Sequence, residues 1–403
     1  MASDKMARRQ FLRSGSLGLL LAGLGMPAAK GLAAEKEKIK KIPRRVLGRT
    51  RLKIPILSFG VMNSDSPDLI NRALDSGITH LDTANGYLRG NSEKSIGNVL
   101  KQRGGRDKVI LSTKIWLARD FQKGVFSTED GSWAPGATPE NFSKLLNASL
   151  ERLQSDYVDI LYIHACDNAQ MVNYEPLMNA ARAAQQAGKA RFIGVSCHAA
   201  VAEVVRAAVD AKIYDVAEIA FNVWREDKEQ IREALAYAKE HGLGIVAMKT
   251  QGGNPREGAT AVNHPAALKW VLRHPEVTTA IPGMTSFDQL DLNLASAANL
   301  DLSDEEENYL KLGAIEKGRL CQGCRACVVQ CPHGVEIPSL MRASMYATGY
   351  GNLSQAEWTL ATLPERQGLG ACRSCSSCTA VCAHALDISR EVAALKSHFP
   401  FLG

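Results

Sequence analysis

Three sets of residues in this chain have the types and spacing to do chemistry. The first is Leu81-Asp82-Thr83-Ala84-Asn85-Gly86-Tyr87, which sets an acid and a phenol five residues apart. It follows an apolar stretch and precedes Ser92-Glu93-Lys94 and a helix-like run, so it reads as strand, loop, helix. A tyrosine there donates a proton only if something lowers its pKa from about 10. The usual device is a nearby cation, whose pull a low-dielectric pocket strengthens. The second set is Lys114, closing Leu111-Ser112-Thr113-Lys114, and His164, closing Asp159-Ile160-Leu161-Tyr162-Ile163-His164. The third is a pair of cysteine runs, Cys321-x2-Cys324-x2-Cys327-x3-Cys331-Pro332 and Cys372-x2-Cys375-x2-Cys378-x3-Cys382. Triplets at that interval with a fourth cysteine point to 4Fe–4S clusters, whereas zinc ribbons use paired Cys-x2-Cys units. The fourth cysteine crosses over in two-cluster ferredoxins. One cluster is therefore expected on Cys321, Cys324, Cys327 and Cys382, the other on Cys372, Cys375, Cys378 and Cys331.

Elements must bring the first two sets together. Strand-like runs at Ile56–Val61, His80–Asp82, Val109–Lys114, Val158–His164, Ala190–Ser196, Val216–Phe221, Gly244–Lys249 and Thr278–Ile281 alternate with helical patterns. Eight strand–helix units predict an α/β chain with a (β/α)8 TIM barrel. A doubly wound sheet is the alternative, but no Gly-x-Gly-x-x-Gly loop follows the first strand. Arg44 to Ile54 alternates around Gly48 and predicts a hairpin. Barrel active sites form at the C-terminal ends of the strands. Asp82, Tyr87, Lys114 and His164 should meet there, with Lys114 as the cation Tyr87 needs and Asp82 fixing it. His164 could then hydrogen-bond an incoming carbonyl oxygen or the phenol. The long segment Trp116–Ala137 is expected to be a lid or substrate wall. His198, just past the fifth strand, reads as a pocket or capping residue.

Asp82-Thr83-Ala84-x-x-Tyr87, Ser92-Glu93, Lys114 and Tyr162-Ile163-His164 together resemble the aldo/keto reductase superfamily over roughly residues 44–298. That resemblance implies NAD(P)H-linked reduction of a carbonyl or oxidation of an alcohol, with Tyr87, Asp82, Lys114 and His164 as the catalytic tetrad and Tyr87 as the acid. It also implies cofactor contacts at Ser196, Glu218, Phe221, Gly283, Gln289 and Asn293. Phe221 would stack on the nicotinamide. Gly283 and Gln289 stand where many relatives carry Lys and Arg for a 2′-phosphate, so NADH and NADPH both stay open. Cys197 reads as a small buried apolar residue.

Beyond the barrel, Leu300–Glu306 predicts a capped acidic helix. Residues 337–346 and 354–363 look helical, Ser354 with Glu357 fits a capping box, and the whole resembles a small, mainly α-helical ferredoxin-like domain. At the other end, Ala7-Arg8-Arg9-Gln10-Phe11-Leu12-Arg13 precedes an apolar run too short to span a bilayer. It resembles a twin-arginine signal, with a periplasmic destination and the twin-arginine export machinery as partner. The expected organisation is a signal at 1–34, a charged linker at 35–43, the barrel at 44–300 and the cluster domain at 301–403. The formal charge of +6 is concentrated in the signal. The remainder has no basic stripe interleaved with aromatics, which argues against nucleic acid. The partners expected are a small carbonyl or alcohol substrate and a redox protein. The alternative is an electron-transfer protein that uses the barrel as a docking or ligand-binding scaffold, with the clusters only structural.

Overall fold

The computed structural model describes residues 42–131, 133–252, 261–316, 318–375 and 377–402. The expected signal and most of its linker lie outside the described residues. The barrel is built from β1 (Phe59–Gly60), β2 (His80–Asp82), β3 (Ile110–Ile115), β4 (Val158–Ile163), β5 (Ala190–Cys197), β6 (Val216–Ala220), β7 (Gly244–Met248) and β8 (Thr279–Ala280). These strands lie side by side in chain order. Parallel bridges Leu57–Ala280 and Gly60–Gly283 bring β1 against β8 and close the circle. This is the (β/α)8 architecture. The helices start where side chains satisfy orphan amides: Ser66, Thr138, Asn263 and Ser286 each accept from the amide three residues on.

Alternation along β4 sorts its side chains. Ile160 and Tyr162 point into the barrel, against Val216, Val246, Leu47 and Ile54. Leu161 and Ile163 point out, into the layer under the helices. Leu47 and Ile54 belong to the expected hairpin, which pairs Arg44–Val46 with Lys53–Pro55 and plugs the barrel floor. Gly194 makes room for Tyr162: a Cβ there would stand 2.4 Å from the tyrosine ring. Gly194→Val is therefore expected to destabilise the fold by at least about 1–3 kcal/mol, the usual cost of overpacking a core. A lowered thermal midpoint would register it; an unchanged midpoint would mean that the ring has room to move.

The expected capped acidic helix is Asp304–Gly313, and its cap is a capping box, Ser303 paired with Glu306. The cysteine module follows with helices Ile337–Ser344, Leu353–Ala361 and Ile388–His398, a π-helical turn at Met345–Gly349, and no strand among its described residues. The Ser354–Glu357 box does not form. Asn352 is the cap instead, accepting from the Gln355 amide, and Ser354 falls inside the first turn. An amide can cap and donate at once. Asn352 also donates to the Met62 carbonyl at 3.2 Å and to Asn63 at 3.1 Å, tying the module to the barrel.

That tie is part of a broad seam. Met62, Ala84 and Tyr87 of the barrel share one apolar cluster with Val335, Leu340, Met341, Tyr346 and Leu360 of the module. Trp358 covers Gly86, where a Cβ would lie 2.7 Å from its ring, and meets Trp116 edge-on at 5.0 Å. The described part of the 116–137 segment is tied down, though none of it lines the long cleft that starts at Asp82 and Tyr87. It folds back as Arg119–Asp120 against Val125–Phe126. Arg119 donates to the Ala165 carbonyl at 2.7 Å, and Arg325 of the module donates to the Phe121 carbonyl at 2.7 Å. Among the described residues no helix is long and apolar enough to cross a membrane.

Candidate active site and cluster-binding module

Asp82 ends β2 and Lys114 lies near the end of β3, and both are buried. Lys114 Nζ donates to Asp82 Oδ1 and, at 3.1 Å, to the Thr83 carbonyl. Glu218 Oε2 on β6 lies 3.3 Å from the same Nζ. Tyr87 sits above, its ring centroid 5.2 Å from Nζ. The His164 ring, just past β4, meets Tyr87 edge-on at 6.0 Å and Trp116 at 5.2 Å. All four residues expected from the strand ends are thus together at one mouth.

Burial works against charge at this mouth. It pushes the Tyr87 phenol above its ordinary value, and the pull of Lys114 does not overcome it. The expected depression of Tyr87 is therefore not found, and the phenol stays protonated. Burial, then the charges of Lys114 and Arg119, hold His164 well below its ordinary value, so the imidazole is neutral. Burial alone would lower Lys114, but Asp82 and Glu218 outweigh it and keep the ammonium charged.

A second network anchors Asp82 from below. Ser112 donates to Asp82 Oδ2 at 2.6 Å and lies 3.1 Å from His80 Nε2; His80 Nδ1 lies 3.0 Å from Ser58, which meets Thr279 at 2.7 Å. Sequence reading missed this chain. Its only signal was an unusual set of polar residues on barrel strands. Ser92 and Glu93 turn out to brace the scaffold. Ser92 bonds Thr83 at 2.7 Å, while Glu93 accepts from Thr113 at 2.5 Å and from Arg152 at 2.7 Å.

A cleft runs from Asp82, Tyr87 and Glu218 past Met248 to Gln289 and Asn293. Of the residues expected to touch a nucleotide, Glu218, Gly283, Gln289 and Asn293 line it. A Cβ at Gly283 would stand 2.6 Å from the Asn63 side-chain amide nitrogen, which would have to turn aside. Phe221 does not reach the cleft. Its ring packs outward, 4.9 Å from Trp270 and 5.0 Å from His274. Ser196 is buried with its hydroxyl accepting from the Ala165 amide at 2.9 Å. Met248 lines the cleft and was not anticipated. The module adds Gly349 and Tyr350 to the cleft wall.

Among the described residues no three cysteines stand close enough to hold a metal, but electrostatic coupling links them in the two crossed sets. Cys327 lies within electrostatic reach of Cys321, Cys324 and Cys382. Cys372 lies within reach of Cys331, Cys375 and Cys378. Burial first, then the neighbouring thiols, push Cys327 up to about 12; burial, against the pull of Lys396, pushes Cys372 up to about 11. Four thiolates coexist in such a site only around a cationic core, which fits an iron–sulfur cluster. Cys166 and Cys197 are free and fully buried in the barrel, as expected for Cys197.

The family described as "Aldo/keto reductase family" matches residues 57–261. The chain belongs to the aldo/keto reductase family. A "4Fe-4S dicluster domain" matches residues 320–386 of this reductase. The two matches make it an oxidoreductase with iron–sulfur centres. It is 26% identical over 336 residues to an L-glyceraldehyde 3-phosphate reductase of Escherichia coli, covering 68% of this chain and 92% of that one. It is 27% identical over 316 residues to an L-galactose dehydrogenase of Arabidopsis thaliana, covering 68% and 94%. In fold it is similar to the holo form of aldo-keto reductase AKR11C1 from Bacillus halodurans, with a TM-score of 0.55 at 23% identity over 68% of this chain and 96% of that one.

The second carboxylate on Lys114 has a measurable signature in this reductase. Burial, then the charge of Asp82, push Glu218 up to about 8, against the pull of Lys114. Its ordinary value is 4.5, so the fold holds a proton that the unfolded chain releases earlier. The stability this proton contributes is complete below pH 4.5 and is lost as pH rises through about 8. Glu218→Gln removes that dependence. The fall in thermal midpoint between pH 6 and pH 9 should shrink in the variant; an equal fall in both proteins would put the proton elsewhere.

Proposed function

We propose that this reductase is an exported, nicotinamide-dependent enzyme. It would reduce a small carbonyl compound or oxidise the corresponding alcohol, with two 4Fe–4S clusters, one electron each, taking electrons from a redox protein in the first direction and delivering them to it in the second. The observation that carries the reading is the Lys114–Asp82 pair beneath Tyr87, with His164 alongside, at the closed end of the cleft. The names of the two relatives, an L-glyceraldehyde 3-phosphate reductase and an L-galactose dehydrogenase, support a small carbonyl or alcohol as the substrate class.

In this reading the neutral His164 donates an N–H to the carbonyl oxygen and orients it. Tyr87 passes its phenolic proton to that oxygen as charge develops there. Lys114 offsets the phenolate left behind, and Asp82, braced through Ser112 and His80, holds Lys114 in place. Trp116, Trp358 and Tyr346 keep water from the mouth. Glu218, Gly283, Gln289 and Asn293 would hold NADH or NADPH along the cleft. Cys321, Cys324, Cys327 and Cys382 would hold one cluster, and Cys372, Cys375, Cys378 and Cys331 the other. When bound, the nicotinamide supplies a hydride and each cluster carries one electron.

Export is the part of the reading carried by sequence alone. Arg8-Arg9 with Phe11-Leu12 fits a twin-arginine signal at 1–34, a route for folded proteins that suits a chain whose clusters are inserted before transit. The mature protein would then be periplasmic, with the linker at 35–43, the barrel at 44–300 and the cluster domain at 301–403.

A second reading rests on one observation. Tyr87 is only 7% exposed beneath the module, which suits an electron-transfer protein whose barrel is a scaffold. One experiment separates the two. Full-length protein purified without oxygen is assayed for iron, for bound nicotinamide and for turnover across aldehydes and ketones. Nicotinamide-dependent turnover is expected. Cluster-loaded protein with no turnover overturns the enzyme reading and leaves the scaffold.

A further inference from the structure

The barrel mouth holds a second cavity that the proposed chemistry does not use. His198, Asn222 and Lys249 form its barrel wall, Met341 and Arg342 its module wall, and Cys321 lies at one end. Lys249 lines the long cleft as well, so the two spaces share a wall.

The charged side chains lining this cavity, Arg225, Lys249 and Arg342, are all cationic; Arg225 is held by Asp227, the other two are less fully partnered. Lys249 Nζ has no carboxylate partner among the described residues; it rests 3.6 Å from the Met62 sulfur and 4.8 Å from the Tyr346 ring centroid. The carboxylate nearest Arg342 is Asp167, at 3.5 Å, beyond the range of a good charge-assisted hydrogen bond. The other oxygen of Asp167 is already committed to the His198 amide at 2.6 Å and the Ala199 amide at 3.2 Å. His198 Nδ1 is buried without a partner. Among the described residues no Asp or Glu lines the cavity. Lys249 also holds a left-handed backbone, φ 58. That conformation is sparsely populated by residues other than glycine and collects at functional sites.

Cations taken out of water need an anion; Asp167 and Glu336 act on Arg342 from outside the cavity lining, while Lys249 has no carboxylate partner among the described residues. We propose that it receives the charged end of the substrate, a small carbonyl compound bearing an anionic group, best fitted by an oxocarboxylate. Lys249 and Arg342 pair with the carboxylate, and His198 Nδ1 completes its hydrogen bonds. The planar guanidinium favours a carboxylate, which it can meet with two parallel bonds. Lys249 and Arg342 both act electrostatically on His164, so the cavity lies on the same side of the barrel mouth as the carbonyl site. The proposal rests on the carbonyl-reductase reading above and deepens it. A competing role is visible. Arg342 also lies within electrostatic reach of Cys321, so it could serve only as a counter-charge to the first cluster.

The test uses full-length, cluster-loaded protein purified without oxygen, in two arms. In the first, kcat/KM is compared for an oxoacid, its methyl ester and a phosphorylated aldehyde of similar length. The oxoacid is expected to exceed its ester by roughly tenfold to a hundredfold, the range for hydrogen bonds to charged groups. Arg342→Met and Lys249→Met should each shrink that ratio, mainly through KM. A phosphorylated aldehyde that exceeds both keeps the site and changes its anion. Equal turnover of acid and ester overturns the proposal. In the second arm, oxalate is titrated calorimetrically without turnover. Saturable binding, weakened about tenfold or more by Arg342→Met at unchanged iron content, supports the site even if no carbonyl is turned over; the enzyme reading alone would then fall. A variant that shifts the cluster potential while leaving the acid-to-ester ratio and oxalate binding untouched assigns Arg342 to the cluster and sinks the proposal.

Discussion

Tyr87→Phe is expected to cut nicotinamide-dependent turnover by about 10²–10⁴-fold, the contribution of a positioned acid. Iron content and the electron paramagnetic signals of both clusters should be unchanged. The substitution removes one hydroxyl and keeps the ring, which packs with Met62, Ala84 and Tyr346 at the seam. Burial raises the phenol above its ordinary value. An acid raised in this way stays protonated through neutral and mildly alkaline pH, so the deficit should be uniform from pH 6 to pH 9. Steady-state rates on one aldehyde across that range test both statements. Undiminished turnover removes Tyr87 from the chemistry.

Lys114→Met is expected to abolish turnover and also to destabilise the protein by about 3–5 kcal/mol, the cost of breaking a buried ion pair from one side. Lys114 stands between two buried carboxylates, Asp82 and Glu218. Without the ammonium nothing offsets their repulsion, and Glu218, which already holds a proton below about pH 8, must keep it to higher pH. The loss should therefore be largest at alkaline pH and ease as pH falls and protons become available. Asp82→Asn added to Lys114→Met should recover part of the stability and none of the activity. Thermal unfolding of the three proteins at pH 6 and pH 9 checks the sign. A single variant as stable as the parent at pH 9 would show that water reaches the pair.

The barrel and the meeting of Asp82, Tyr87, Lys114 and His164 were legible because both depend on local pattern. Strands announce themselves by alternation, and residues at their C-terminal ends must converge in a closed barrel. The misplacement of Phe221 was avoidable by the same logic. Glu218 faces inward, so Ala220 shares its face, and Ile219 and Phe221 take the other, where both join the layer under the helices. Ser196 pairs in register with Glu218, but its hydroxyl is taken by the Ala165 amide, which no pattern in the chain announces. The docking of the cysteine module was not legible at all. Its ties, such as Asn352 to Met62, join residues 290 positions apart. A contact of that separation leaves no period in either partner. The Ser354–Glu357 motif failed for a related reason: its spacing is local, but Asn352 wins the cap while also bonding the barrel.

One feature of the seam bears on how such a chain can change over generations. Leu340, Met341 and Tyr346 belong to the core of the iron-binding half and to the surroundings of Tyr87 at once. A substitution at any of them is screened twice, for how the module folds around its metal and for the shape left above the phenol. The two halves cannot drift independently, and a change of substrate in this lineage would leave its trace in the ferredoxin-like sequence as well as in the barrel loops.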